Sequence, residues 1–429
     1  MEVLARLDAI ALSTLVVAVA RLSTESPAAE LVDRLRELEN LKNAAAAAQT
    51  RLTVALRQLR EGEARAAGAP VKKAVAGVVA EVALARRESP HRAARLVGLA
   101  RVLDQELPAT MAAFVAGRIT EWRASLIARE TACISRADRL RVDAELAGQL
   151  DALSDREVAA RARCAAYALD AQSVVERAAR AEADRRVTIR PAPDSMALVS
   201  ALLPVSLGVA VYAALKRTAD GLRAAGDPRG LGQAMADTLV SRVTGGDAAT
   251  VAGVEVQLVM SDQALLAGSE TPARFVGYGP IPAGVARRLV AAASRENRAW
   301  VRRLYASPGT GQLVAMESRR RRFPAGMRNF LALRDEVCRT PWCGAPMRHA
   351  DHIVPRAAGG PTTLANGQGL CERCNQAKES RGWMARPGPA GTVITTTPTG
   401  HEYRSPELAV PHEPPRWEIT VDLRHLSAA

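Results

Sequence analysis

Residues 338–378 read CRTPWCGAPMRHADHIVPRAAGGPTTLANGQGLCERCNQAK. Two cysteine pairs bracket this stretch: Cys338 with Cys343, four residues between them, and Cys371 with Cys374, two between them. Zinc takes four thiolates in a tetrahedral set, and each pair reaches one ion from a single tight turn. So small a module has a thin core of its own, and metal binding supplies much of its folding energy. With all four positions filled by protein, this zinc is structural. Between the pairs lie Asp351 and His352, the Gly359-Gly360 turn and Asn366; Asn375 follows the last cysteine directly. The alternation around His352 predicts a strand entering a turn, and 374–378 predicts a short helix. A hairpin followed by a helix brings Asp351 and Asn375 towards one ion. A carboxylate and an amide oxygen are hard ligands, suited to Mg2+ or Mn2+. His352, next in sequence to Asp351, points to the other side of its strand, where it is placed to take a proton from water.

Charge gathers at the same place. The chain of 429 residues carries a net +13. Residues 319–386 hold 13 Lys or Arg against 5 Asp or Glu, so +8 lies in this segment and +5 in all the rest. Such a concentration favours a polyanionic partner, nucleic acid or an anionic membrane surface. Arg319, Arg320, Arg321 and Arg322 form a run that suits a phosphate-contacting arm, and Arg356, Arg373 and Lys378 are further phosphate contacts to test.

Upstream, residues 1–184 read as successive helices. Hydrophobic residues make up 48% of the chain but aromatics only 3%, which favours helices packed through small and aliphatic side chains. Ser89 caps a helix that opens on Pro90, and Ser154 with Glu157 forms a capping box. Residues 185–318 are mixed. Strands are expected at 187–190, 196–203, 254–260 and 275–278, helices at 204–222, 231–243 and 282–293, and a hairpin around residues 308–311. A helix over 324–336 delivers the chain to Cys338. Residues 387–429 hold a hairpin and a Pro-rich tail. The fold class is thus α+β: a mainly helical N-terminal domain (1–184), a mixed α/β region that continues it (185–318), a small zinc-stabilised module (319–386), and the tail. Cys133 and Cys164, alone in helical patterns, are expected to be buried small hydrophobes. No disulfide framework is visible, which fits a reducing cytoplasm. The longest apolar run near the N-terminus, 9–20, is too short to cross a bilayer, so no membrane partner is expected. The helical N-terminal region is a candidate surface for homo-oligomers.

With these residues in place, the stretch 338–378 resembles the HNH endonucleases, of the ββα-metal type with two zinc-holding cysteine pairs. The matching elements are Asp-His-Ile-x-Pro, Gly-Gly, the central Asn, and Cys-x-x-Cys-Asn-x-x-Lys. The resemblance implies that His352 is the general base, that Asp351 and Asn375 hold a divalent metal, and that Asn366 holds the loop carrying the base. Many members have His where this chain has Asn375; the amide makes Mg2+ or Mn2+ the better fit there. It implies a phosphodiester hydrolase acting on DNA. The competing reading is a non-catalytic, zinc-ribbon-like DNA-binding protein with a degenerate nuclease core. Such a module needs the cysteines and the basic residues but not Asp351, His352, Asn366 and Asn375, and all four are present. Upstream, LPATMAAFVAGRITEWRASLIARET, RRVTIRPAPDSMALVSALLP and LYASPGTGQL resemble a bacterial domain of unknown function that commonly precedes HNH motifs; this covers residues from about 30 to 330.

Overall fold

The computed structural model describes residues 9–245, 257–295, 317–318 and 323–407. The chain divides into two compact units, one of residues 1–59 and 95–175, the other of residues 60–94 and 176–429. The fold class is α+β as the pattern implied: a helical N-terminal region, small sheets, and a C-terminal module with four clustered cysteines.

The first unit is built of short helices around one core. Leu103, Leu107, Phe114, Ile127, Val142 and Leu146 form its fully buried centre. Three of its helices begin on a capping side chain. Thr120 accepts from the Arg123 amide and Ser135 from that of Asp138, and Ser154 with Glu157 makes both bonds of the capping box. The Pro108–Val115 helix starts on proline, and its free amides are met from a distance: the buried Asp143 carboxylate accepts from Ala109 N at 2.6 Å and from Thr110 N at 2.9 Å. Cys164 departs from expectation and is exposed, because Ala162 and Ala166 turn the buried face of its helix away from it; Cys133 is half-buried.

In the second unit, strands Arg186–Ala192 and Met196–Leu202 form an antiparallel hairpin with Val187 opposite Ala201 and Ile189 opposite Val199. Leu258–Val259, Ala273–Phe275 and Gly279–Ile281 make a three-stranded antiparallel sheet. The strand expected at 275–278 is therefore corrected. Only Phe275 is strand; residues 276–278 form the hairpin turn, where Gly277 and Gly279 supply left-handed φ angles of 82° and 121°. The expected hairpin around 308–311, residues 254–256 and the tail beyond 407 lie outside the described residues.

The C-terminal module follows the Ala325–Asp335 helix. His349–His352 pairs antiparallel with Gly367–Leu370, and the Glu372–Lys378 helix follows, a β-hairpin with a long loop and then a helix. Met384–Pro387, Val393–Thr396 and Glu402–Ser405 add a three-stranded sheet. Two long-range ties locate the module within its unit. The Glu372–Lys378 helix packs against the Val71–Arg86 helix, and the Arg373 guanidinium donates to the Pro90 carbonyl at 2.9 Å. Arg274 pairs with Glu336 at 3.0 Å and donates to the Leu333 carbonyl at 2.7 Å, fixing the small sheet to the chain that enters Cys338.

Candidate active site

The four cysteines meet. Their sulfur atoms all lie within 4.8 Å of one another, and all four residues are buried. Cys343 Sγ is 3.7 Å from both Cys371 Sγ and Cys374 Sγ. A regular tetrahedron of zinc–sulfur bonds has edges of about 3.8 Å, so the cluster has the size a zinc ion needs. Two turns create it. The Cys338 amide donates to Ala345 O at 2.8 Å and that of Cys343 to Thr340 O at 3.1 Å, with Trp342 and Gly344 both at left-handed φ. Cys371 caps the Glu372–Lys378 helix, its sulfur accepting from the Cys374 amide. So many buried sulfurs cannot all ionise unaided. Hydrogen bonds from Cys343 and Cys374 favour a thiolate on Cys338, and the Cys343 thiol, held protonated by its hydrogen bond to Cys338, is pushed up to about 12. A divalent cation removes this conflict.

The strand period of two then separates the polar residues. Ala350 and His352 face the cluster of Phe323, Met327, Leu331 and Leu364; Asp351 faces the Glu372–Lys378 helix. The Ala325–Asp335 helix can approach the paired strand closely because Gly367 and Gly369 have no side chains: a Cβ on Gly367 would lie 2.9 Å from Leu331 Cδ1, and one on Gly369 3.1 Å from Asp335 Cβ. A buried charge network closes this face. Asp335, with no exposure, accepts from the Gly369 amide at 2.6 Å, and Arg334 and Arg339 pair with it at 2.7 and 3.2 Å. Nothing in the sequence marks these three residues, which read as the polar end of an amphipathic helix and a turn.

Asn366 is 4% exposed and makes three side-chain bonds. Its Oδ1 accepts from Val354 N at 2.9 Å, and its Nδ2 donates to Val354 O at 3.1 Å and Pro361 O at 2.8 Å. The Ile353 amide also donates to the Asn366 carbonyl at 2.8 Å. One side chain thereby staples both ends of the loop that follows His352. Gly360 is the residue that lets the loop close: a Cβ on it would lie 1.9 Å from Val354 O and 2.8 Å from Asn366 Nδ2. Asn366→Ala is expected to cost about 2–3 kcal/mol, since it removes three hydrogen bonds to part-buried backbone groups at about 1 kcal/mol each; chemical denaturation of the full chain measures it.

His352 sits half-buried at the end of its strand. Its ring lies 4.5 Å from that of Phe323, centroid to centroid, and its Nε2 is 2.9 Å from Thr362 Oγ1. Both neighbours, Phe323 and Thr362, are buried and hold the ring from two sides. With Nε2 engaged, Nδ1 is the nitrogen left to take a proton. Burial pushes the imidazole below its ordinary value of 6.5, the Lys378 and Arg356 charges push the same way, and Asp351 opposes them.

Asp351 Oδ2 lies 2.7 Å from Lys378 Nζ and accepts from Gln368 Nε2 at 3.4 Å. Asn375 Oδ1 is buried and has no hydrogen-bond partner among the described residues. Arg356 and Arg373 are exposed, whereas the Lys378 side chain is only 8% exposed. Arg319, Arg320, Arg321 and Arg322 lie outside the described residues. The fold thus gathers the four cysteines in one cluster and His352, Asp351, Asn366 and Lys378 around the His349–His352 strand and its loop. Phe323, Thr362 and Gln368 complete the surroundings. Of these, Thr362 could have been suspected from its place in a loop returning towards His352; Phe323 could not, since only packing brings it there.

Residues 32–335 match the family model of the domain of unknown function DUF222, and residues 336–381 match that of HNH endonucleases. The second match supports a nuclease-type function in general. Two proteins of Mycobacterium tuberculosis (strain ATCC 25618 / H37Rv), the uncharacterized proteins Rv3776 and Rv2100, are each 37% identical over 82 residues, 18% of this chain. The match spans 16% of the first relative's length and 15% of the second's. No solved structure matches. Among the described residues, no helix is long and apolar enough to cross a membrane.

Proposed function

The chain belongs to the DUF222 family and carries an HNH endonuclease domain over residues 336–381, and from there we propose that this domain hydrolyses phosphodiester bonds in DNA with the help of a divalent metal ion. The observation that carries the reading is the pairing of a held imidazole with an orphaned oxygen. His352 is fixed through Nε2 and Phe323 and keeps Nδ1 for a proton. Asn375 Oδ1 is buried without a donor, and an acceptor oxygen in that state suits a hard cation. Asp351 on the neighbouring strand adds a carboxylate, so Asp351 and Asn375 would hold Mg2+ or Mn2+. Bound there, the ion would supply positive charge for the phosphate and for the leaving oxygen.

The residues' own part in the reaction is a proton transfer. His352 takes a proton from water as the water oxygen bonds to phosphorus in line; the bond from phosphorus to the 3′ oxygen breaks, and solvent protonates that oxygen. Asn366 keeps the loop after the base in place. The four cysteines hold a structural zinc that carries Asn375 on its helix. The local excess of positive charge draws the DNA, with Arg356 and Arg373 as exposed phosphate contacts. An intracellular, cytoplasmic protein with reduced cysteines fits this set.

The test is plasmid relaxation by zinc-loaded full-length protein. Supercoiled DNA is expected to be nicked or cut when Mg2+ or Mn2+ is added and to stay intact when neither is present. Intact plasmid in every metal overturns the reading.

A further inference from the structure

Lys378 is the member of the basic set that the fold withdraws from the surface. Its ammonium lies 2.7 Å from Asp351 Oδ2, donates to the His352 carbonyl at 2.7 Å, and reaches Glu379 Oε1 at 3.4 Å. An ammonium has three donors, and all three contacts are internal to the module. A charge this deep is costly unless it is paired; Asp351, whose side chain is 18% exposed, is the partner. Lys378 also ends the helix that Cys371 caps and that carries Asn375 three residues earlier, so both project from one side of a helix anchored by two sulfurs.

We propose that Lys378 is a positioning residue that clamps the Asp351 carboxylate to the backbone of His352 and acts through them, without gripping DNA phosphate. The proposal rests on the nuclease reading above for the roles of those two residues. It has a two-sided consequence. The clamp holds the end of the strand and the start of the loop against the helix, which favours catalysis. The same ammonium, bonded to one carboxylate oxygen, opposes the approach of a second cation to Asp351. Removing it therefore loosens the base while strengthening the attraction of Asp351 for a divalent ion. A residue needed only for folding, or only for DNA binding, would not produce that opposition.

The experiment uses the zinc-loaded full chain with Lys378→Met, Lys378→Gln and Lys378→Arg, and Asp351→Asn as a reference. Mn2+ alone, titrated calorimetrically without DNA, is expected to bind about fivefold or more tighter to the Met and Gln variants than to the parent. Hydrogen exchange at the Ile353 and Val354 amides is expected to quicken about tenfold in the same variants. Their kcat falls, the DNA concentration giving half-maximal rate stays near the parent's, and Lys378→Arg, which keeps the charge, restores most of each property. Unchanged or weaker Mn2+ binding in the Met and Gln variants overturns the clamp. So does a variant whose only change is weaker DNA binding with a salt slope lower by about one, the mark of a phosphate contact. Loss of zinc and fold in every variant makes Lys378 a folding residue and also overturns it. If the parent cleaves nothing yet the Mn2+ and exchange effects appear, the clamp stands and the nuclease reading falls. If the parent cleaves and neither effect appears, the reverse holds.

Discussion

His352→Ala is expected to lower the rate of metal-dependent plasmid cleavage by about 10²–10⁴-fold while the protein keeps its zinc and its fold. The expectation follows from the site's division of labour. Asn366, with its three bonds, holds the loop without help from the imidazole, and the cysteine cluster holds the helix. Loss of the ring removes its stacking on Phe323 and one contact to Thr362, a local cost of about 1–2 kcal/mol that a cooperative module tolerates. Zinc content and far-UV circular dichroism check the fold; initial rates on supercoiled plasmid check the chemistry. The pH profile sharpens the assignment. A base must be neutral to act, and burial holds this imidazole below 6.5. Activity is therefore expected to rise with pH on an acid limb centred below that value and to be level through neutrality. Equal cleavage by the parent and His352→Ala would remove the base from the mechanism.

Removal of the zinc is expected to have the largest effect on stability. One tightly held zinc per chain should be found by metal analysis of the native protein, and Cys371→Ser should lose it. Structural zinc contributes on the order of 10 kcal/mol to small domains, and little else here could replace it. Among the described residues, the apolar side chains clustered with the sulfurs are Leu370 and Ala345, and Cys371 is at once one of the four clustered cysteines and the cap of the Glu372–Lys378 helix. Its loss releases the helix that presents Asn375 and Lys378. Cys371→Ser is accordingly expected to unfold the module and end cleavage together, with fast hydrogen exchange over residues 338–378 and protection retained in the 95–175 core. A variant that keeps its zinc, or native protein without any, would refute the tetrathiolate site.

How the two devices are written into the chain differs. The cysteine spacing, the Gly359-Gly360 turn and the order Asp351, His352, Asn366, Asn375 were legible because each depends on local geometry: a tight turn, a strand period, a helix cap. The helical region upstream was legible as helices, since caps such as Ser154 with Glu157 are local too. The short strand expected at 275–278 was misplaced because the apolar Phe275, Val276 and Tyr278 carry the same signal in a strand and in the turn beside it.

By itself, then, the sequence determined the α+β class, the HNH motif near the C-terminal end and the concentration of positive charge around it. Tertiary structure alone decided what those residues touch. Lys378 reads as one more surface cation, but the fold buries its ammonium against Asp351. Phe323 reads as an apolar residue before a helix and becomes the wall of the His352 pocket. Arg373 reaches back to Pro90 across most of the chain. Such contacts join residues distant in sequence, and their energies depend on burial and charge pairing that no local pattern contains. Spacing names the chemistry of a site, and packing assigns each charge its partner.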